Sequence, residues 1–353
     1  MGSARDGFNA GADEIEMSSS QVTSLAGNGG RVRACPLCGG ARVFDFLIAP
    51  DRFHGRKEEY TLLRCSSCWC VWLTGPPRPE DMGRHYSEDY HQTIVTGAEH
   101  TGAKRWQTHR EVIAKYKDDG AILDIGCSSG SFLASMRSGK WKLYGIEMDR
   151  PTAERARANS GAEVFVGDVM DAPYPPDSFD VITGFDLLEH VYHPREFLER
   201  VLTWLRPGGI VFARLPNIDS WEARLFGTYW YGLELPRHLY HFSPRSMKRL
   251  VADLGVGESY ITATGPGSHA HHSLRYVNEE LMATLGFSPT PMAKARRSNL
   301  AWRAVRKALW LSMVVPLSRI ASAANAGVVL NVILKKEADP GNSVQDPTNA
   351  LDR

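Results

Sequence analysis

The stretch that most constrains this chain runs from Ala121 to Met136 and reads AILDIGCSSGSFLASM. Ile122, Leu123 and Ile125 have the look of a short buried strand. Gly126 and Gly130 then flank a tight turn, and Ser131 to Met136 open a helix. A glycine-flanked loop between strand and helix lets a ligand lie against bare backbone, and side chains at Gly126 or Gly130 would block that approach. Strand, turn and helix alone are a weak signal. They gain weight from later landmarks, which fall where one kind of nucleotide-binding unit needs them.

Leu143 to Ile146 read as a second strand ending in Glu147. An acidic residue at that tip, about 20 residues after the glycines, suits a ribose diol. Gly167, Asp168 and Val169 follow a third strand, Glu163 to Val166; Phe179 to Phe185 make a fourth, followed by Asp186 to Val191. Leu205 to Gly209 turn into a fifth strand, Ile210 to Leu215. With DIGCSSG, GIEMD, GDVMD, FDLLEHV and LRPGGIVFARLPN in this order, the chain resembles the class I S-adenosylmethionine-dependent methyltransferases over Asp118 to Leu254. The resemblance implies an α/β fold: a Rossmann-like seven-stranded sheet whose last strand runs antiparallel.

A dinucleotide site needs G-x-G-x-x-G to bring backbone onto a pyrophosphate, and Cys127 after Gly126 breaks that pattern. A methyl donor carries no phosphate. By resemblance, the loop Gly126, Cys127 to Gly130 cradles the donor's amino acid part and Asp124 holds its amino group. Glu147 binds the ribose hydroxyls and Asp168 meets the adenine amine. Met148, Val169 and Phe185, beside these in the motifs, join the expected donor-binding set. A bland reading of Asp124 stands beside this one: a strand-end carboxylate capping the turn.

Five of the six cysteines crowd into residues 35–70, as Cys35-Pro36-Leu37-Cys38 and Cys65-Ser66-Ser67-Cys68-Trp69-Cys70. Two C-x-x-C pairs with 26 residues between them resemble a zinc ribbon. Each pair offers two thiolates, and two pairs complete a tetrahedron. The expected ligands are Cys35, Cys38, Cys65 and Cys68. Cys70 competes with Cys68, although the C-x-x-C spacing favours Cys68. A disulfide pair is the alternative, disfavoured in a reducing cytoplasm. So small a unit buries little core, so zinc supplies its folding free energy. Ribbons of this kind grip RNA in some methyltransferases and accompany glycan- and sugar-modifying ones in others. Here Arg52, Arg56, Lys57 and Arg64 are balanced by Asp45, Asp51, Glu58 and Glu59. With a net charge of +1 overall, nucleic acid is disfavoured as a partner.

The expected organisation is a disordered tail at 1–30, the ribbon at 31–75 and a linker with lead-in helices at 76–117. A methyltransferase domain follows at 118–336, with a helical insertion at 266–326, and a second disordered tail at 337–353. The first tail lacks the apolar run of a signal peptide, and no run reaches the length of a spanning helix. A cytoplasmic location follows as the default. Trp106 to Tyr116 are expected to be a helix that either closes over the donor or simply packs. Tyr260 to Thr264 and Gly327 to Leu334 read as strands six and seven. No acidic residue occurs from Leu281 to Lys336. Residues 294–319 there combine basic and apolar side chains, and either pack on the core or touch a membrane surface.

A polar-aromatic cluster, Trp230-Tyr231 and Pro236 to Pro244, precedes a helix at Arg245 to Leu254 that is capped by Ser243. Methyl transfer to a hydroxyl or an acidic carbon needs a proton removed near neutral pH, and histidine suits that task. His241 and His238 rank first as candidate bases, then His190, in the helix expected after strand four. The expected function is methyl transfer from S-adenosylmethionine to a small-molecule or glycan acceptor, by O- or C-methylation. An RNA methyltransferase and a non-catalytic binding protein of the same fold are the alternatives.

Overall fold

A computed structural model of the chain describes residues 34–86, 106–137, 139–265, 270–286, 312 and 314–338. Most of both tails, residues 88–91 and 269, and the basic part of the acid-free stretch, 294–307, lie outside those residues.

The N-terminal unit consists of three antiparallel strands, β1 (Val43–Pro50), β2 (Glu59–Cys65) and β3 (Val71–Leu73), then a short helix α1 (Pro79–Met82). Residues 106–113 form a helix, α2, over part of the expected lead-in span. Then come β4 (Gly120–Ile125), α3 (Ser131–Ser135), β5 (Trp141–Glu147), α4 (Arg150–Ser160), β6 (Glu163–Val166), β7 (Phe179–Phe185), α5 (Pro194–Trp204) and β8 (Leu205–Pro216). The chain continues through α6 (Trp221–Phe226), β9 (Tyr240–His241), α7 (Pro244–Val251), β10 (Glu258–Thr264), α8 (Ala270–Thr284), α9 (Val315–Ala323) and β11 (Val329–Lys335).

Seven strands form the main sheet in the order β10-β11-β8-β7-β4-β5-β6. The pairs β8/β7, β7/β4, β4/β5 and β5/β6 are parallel, and β11 runs antiparallel to both neighbours. This is the expected doubly wound α/β sheet with its last strand reversed. In β4, Ala121 to Ile125 are all buried, as in a parallel strand covered on both faces. Strand order reverses between β4 and β7. The carboxyl ends of the strands at such a switch point are where open α/β sheets bind ligands.

One boundary differs from the expected one. Leu205 to Gly209 are the bulged start of β8 rather than a separate turn: Phe179 faces Leu205, but Val181 already faces Ile210. A Cβ at Gly209 would stand 2.9 Å from the Asp180 carbonyl oxygen, so only glycine lets the bulge close. The expected cap holds. Ser243 accepts from the Ser246 N–H, Pro244 occupies the first turn, and α7 ends at Val251.

The second sheet has the order β1-β2-β3-β9, so its fourth strand comes from the far half of the chain. Val71 pairs with His241 and Trp72 with Tyr240, and the Leu73 N–H donates to the Leu239 carbonyl at 2.8 Å. Leu62, Val71 and Leu73 share one apolar core with Trp230, Leu239, Phe242 and Met247. Among the described residues no helix is long and apolar enough to cross a membrane.

Candidate active site

Four loops meet at the carboxyl edge of β4, β5, β6 and β7. Asp124 is buried near the end of β4 and accepts from the Thr183 hydroxyl of β7 at 2.7 Å, tying the two strands at the switch point. The loop after β4 is pinned to β5, because the N–H groups of Gly126 and Cys127 both donate to the Ile146 carbonyl, at 2.9 and 3.1 Å. Glu147 faces that loop. One carboxylate oxygen accepts from Ser128 N–H at 3.0 Å and the other from Asp149 N–H at 3.1 Å. Each oxygen keeps a lone pair for a further donor such as a hydroxyl. At the tip of β6, Asp168 accepts from Met170 N–H at 2.8 Å.

Beside these carboxylates stand two exposed apolar side chains, Met148 (71% accessible) and Met170 (50%). Large exposed apolar groups flanking fixed carboxylates suit a flat ring that carries a polar rim. Met170 was not legible as part of this edge, because a methionine two residues past an acidic one has no pattern of its own. Val169 packs on the core. Phe185 sits in an aromatic cluster with Trp106, His109, Phe132 and Phe212, and α2 packs there through Trp106 and His109.

The two loop glycines do different work. Both have positive φ, +70° at Gly126 and +72° at Gly130. A Cβ at Gly130 would meet the backbone of α4, 2.8 Å from the Ala156 carbonyl oxygen. Helix packing on its own is therefore enough to require that glycine. A Cβ at Gly126 would meet only the Leu187 side chain, at 3.3 Å. The Cys127 side chain points inward. A Cβ at Gly145 in β5 would stand 2.8 Å from its sulfur, and burial pushes its thiol pKa up. Only the backbone of Cys127 is left to face a ligand.

After β7 the chain forms a single 3-10 turn, Leu188–His190, well short of α5, so His190 does not lie in the long helix expected there. The Leu187 side chain reaches Gly126, which sets this turn directly behind the glycine loop. His190 Nδ1 lies 3.1 Å from the Arg237 carbonyl and 3.0 Å from the Tyr86 hydroxyl. A carbonyl can only accept, so Nδ1 carries the proton and Nε2 is left as the basic nitrogen. Burial brings the imidazole down to a pKa of about 4, keeping it neutral at physiological pH.

His238 and His241 are 4% and 3% accessible. Neither stands at an open edge, where a base that meets an incoming acceptor would be expected. His238 Nδ1–H donates to the Gly232 carbonyl at 2.9 Å and His241 Nε2–H to the Leu233 carbonyl at 3.0 Å. Burial holds His238 well below the ordinary histidine range and His241 at about 4. The rings of His190 and His238 meet at 4.6 Å, edge to face. Glu189 completes the group: its carboxylate, His190 and His238 lie within 4.8 Å of one another. The Glu189 oxygens have no hydrogen-bond partner outside their own residue among the described ones. Burial and the charge of Asp186 push its carboxyl well above the usual range.

Residues 99–256 match the family model described as a methyltransferase domain. The ubiquinone biosynthesis O-methyltransferase of Aeromonas salmonicida (strain A449) is 36% identical over 102 residues, 27% of this chain and 43% of that protein. The enzyme of the same name from Pectobacterium atrosepticum is 28% identical over 153 residues, 40% of this chain and 64% of its own. The chain therefore spans less than two thirds of these relatives' length. Among solved structures, the plantazolicin methyltransferase BpumL in complex with SAH is 18% identical at a TM-score of 0.46, covering 72% of this chain and 93% of its own.

Arg237, within the polar-aromatic cluster but not among the candidate site residues, organises the boundary between the domain's histidines and the N-terminal unit. Its side chain is fully buried. The guanidinium reaches Asp51 at 3.4 Å, His54 Nδ1 at 3.1 Å, the His85 carbonyl at 3.1 Å and Glu234 at 3.3 Å. Removing one partner of such a pair typically costs about 3–5 kcal/mol, because the other charge stays buried.

The cysteine sulfurs fit a zinc ion. All four of Cys35, Cys38, Cys65 and Cys68 lie within 4.8 Å of one another, with Cys35–Cys68 at 3.5 Å and Cys38–Cys65 at 3.6 Å. Zn–S bonds of about 2.3 Å put tetrahedral sulfurs about 3.8 Å apart. The Cys70 sulfur lies 3.6 Å from the Val71 carbonyl. Burial raises the Cys65 thiol pKa, but N–H groups of Cys68 and Ser67 outweigh it and bring the thiol to about 7, favouring a thiolate. The two C-x-x-C turns are alike in backbone: Gly39 at φ +68° and Trp69 at φ +64° occupy equivalent places. Trp69 adopts that strained conformation with Arg64 and Arg245 near its ring, at 5.2 and 5.1 Å.

Proposed function

We propose that this protein transfers a methyl group from S-adenosylmethionine to a small-molecule acceptor, with sugars and glycans within that class. The observation that carries the reading is Glu147, fixed by two backbone N–H groups at the mouth of the glycine loop and flanked by exposed Met148 and Met170. In this reading the backbone from Gly126 to Gly130 and buried Asp124 hold the amino acid end of the donor. Glu147 takes the ribose hydroxyls, and Asp168 with Val169 meets the adenine edge.

The acceptor then enters beside the turn that carries His190. His190 is the half-buried member of the histidine group, while His238 and His241 are closed off. His190 takes over as first candidate for the base: its Nε2 would receive the acceptor's proton as the acceptor atom bonds the methyl carbon and the methyl–sulfur bond breaks, with S-adenosylhomocysteine as the leaving group. Burial lowers the pKa of His190 to about 4 and makes it a weak base, which suits an acceptor with an acidic proton better than an ordinary alcohol. The names of the O-methyltransferase relatives agree with O-methylation of such a molecule.

Zinc at the four cysteines belongs to the same proposal, as a structural ion, and so does the cytoplasmic location. Contact with a membrane surface rests on a smaller observation: Leu317 and Ile320 are exposed on α9, inside the acid-free stretch. Sedimentation with anionic vesicles that weakens with salt supports it; no sedimentation at low salt leaves only a packing role. The main test is mass spectrometry after incubation with isotopically labelled donor and a panel of phenols, nucleotide sugars, lipid-linked glycans and RNA. Label on a small molecule or sugar supports the reading, and label confined to RNA contradicts it.

A further inference from the structure

The N-terminal unit touches the catalytic half at matching points. Leu37 and Ser67 hold the same place in the two C-x-x-C turns. The carbonyl of Leu37 accepts from Arg195 of α5 at 3.3 Å, and that of Ser67 from Arg245 of α7 at 3.2 Å. Arg64 of β2 pairs with Asp219 at 2.8 Å. Between these contacts β3 pairs with β9, which follows His238 by one residue. At the centre, the Arg237 guanidinium is held by Asp51, His54 and the His85 carbonyl, while its own carbonyl takes the His190 Nδ1 proton. Tyr86, on the same N-terminal side, touches that same nitrogen.

We propose that Arg237 is a positioning residue through which the cysteine-bearing N-terminal unit sets the tautomer and orientation of His190. The two ends of one residue make the link: its side chain reads whether the unit is folded, and its carbonyl holds the imidazole. The groups facing His190 are Tyr86 from the N-terminal unit, Arg237, His238 and His241 from the segment around β9, and Asp186 and Glu189 from its own turn. With those contacts in place, Nδ1 stays protonated and Nε2 stays directed to the acceptor side. When the unit loosens, Arg237 loses its anchors and His190 is free to exchange tautomers.

The proposal rests on His190 being the acceptor-side group, yet its test needs no acceptor. Histidine-labelled full-length protein is read by nuclear magnetic resonance, with the His190 signal assigned from His190→Gln, and donor affinity is measured on the same samples. In the wild type, His190 shows a single Nδ1–H tautomer. In Asp51→Asn, and in Arg237→Lys, which keeps the charge but not the planar fork, the signal becomes a tautomer mixture. Removing zinc from the full chain with a chelator gives the same change, and donor affinity holds throughout. A folded Asp51→Asn or Arg237→Lys protein with an unchanged His190 signal overturns the proposal. So does an unchanged signal in the chelated chain. Absence of donor binding in the wild type would instead strike the methyltransferase reading.

Discussion

The two edges of this site are built in opposite ways. The edge made by β4, β5 and β6 is local: Glu147 is held by N–H groups from Ser128 and Asp149, and Asp168 by that of Met170, so backbone near each carboxylate fixes it. Apolar side chains stand exposed beside them. The histidine edge is assembled from afar. His190, Arg237, His238 and Asp51 come from three separate stretches of the chain, and the ion pair Asp51–Arg237 spans 186 positions. The first edge presents fixed carboxylates beside exposed apolar side chains. The second is a closed polar network whose geometry depends on the fold around it. Damage to the N-terminal unit should therefore reach the second edge and spare the first.

The largest effect is expected at the cysteines. One zinc per chain, measured by elemental analysis, should be lost in Cys68→Ser and kept in Cys70→Ser, whose sulfur stands outside the four-sulfur group. Apparent zinc binding in structural sites is worth about 10–16 kcal/mol, so its loss should unfold the unit and uncouple β3 from β9. Zinc lost in Cys70→Ser and kept in Cys68→Ser would reverse the assignment of the fourth ligand.

The next effect separates the loop glycines. Gly130→Ala forces a Cβ against the α4 backbone and should cost about 2–3 kcal/mol of stability, read by thermal unfolding. Gly126→Ala meets only a movable leucine, so it should unfold later than Gly130→Ala but lose more donor affinity. The opposite ranking in both measurements would return Gly130 to a ligand-facing role.

A smaller effect is expected with pH. His190 and His241 titrate near 4 in the folded chain and His238 well below its ordinary value, against 6.5 when unfolded. The unfolded chain thus binds more protons between about pH 6.5 and 4. The stability these groups contribute is complete above 6.5 and lost as pH falls through that window. Glu222, pushed to about 7 by burial, works the other way, its contribution fading as pH rises from 4.5 to 7. His241→Asn should make the acid limb of the stability profile shallower. An unchanged slope would mean that His241 is not neutral and buried in solution.

How much of this was legible in the sequence follows the same division. The strands Glu163–Val166 and Phe179–Phe185 and the cap at Ser243 stand where apolar runs and cap residues predicted them, because those signals are local. The carboxylates of the β4–β6 edge follow in the same way, since Asp124 and Glu147 stand at or near the ends of their strands and Asp168 two residues past one. Arg237 carries no such signal. A buried arginine is defined by partners that the fold supplies, and Asp51 and His85 lie in another part of the chain. β9 is two residues long, too short for any alternation to show. His238 and His241 read as candidates for an open edge because their types suit proton transfer, but their burial depends on long-range packing. Trp69 stands in the second C-x-x-C turn where Gly39 stands in the first. It shares that glycine's backbone conformation, with two arginines near its ring.

The central claim is that the chain binds a methyl donor at the local edge, independently of the network behind it. Calorimetric titration of S-adenosylmethionine into the wild type, Glu147→Ala and Asp51→Asn tests it most directly. Glu147→Ala removes charge-assisted hydrogen bonds worth roughly 1.5–3 kcal/mol each, so each bond lost should lower the affinity by about 10- to 100-fold. Asp51→Asn, on the far side of the histidine network, should bind as the wild type does. Equal affinity in the wild type and Glu147→Ala, or no binding by the wild type, would contradict the account.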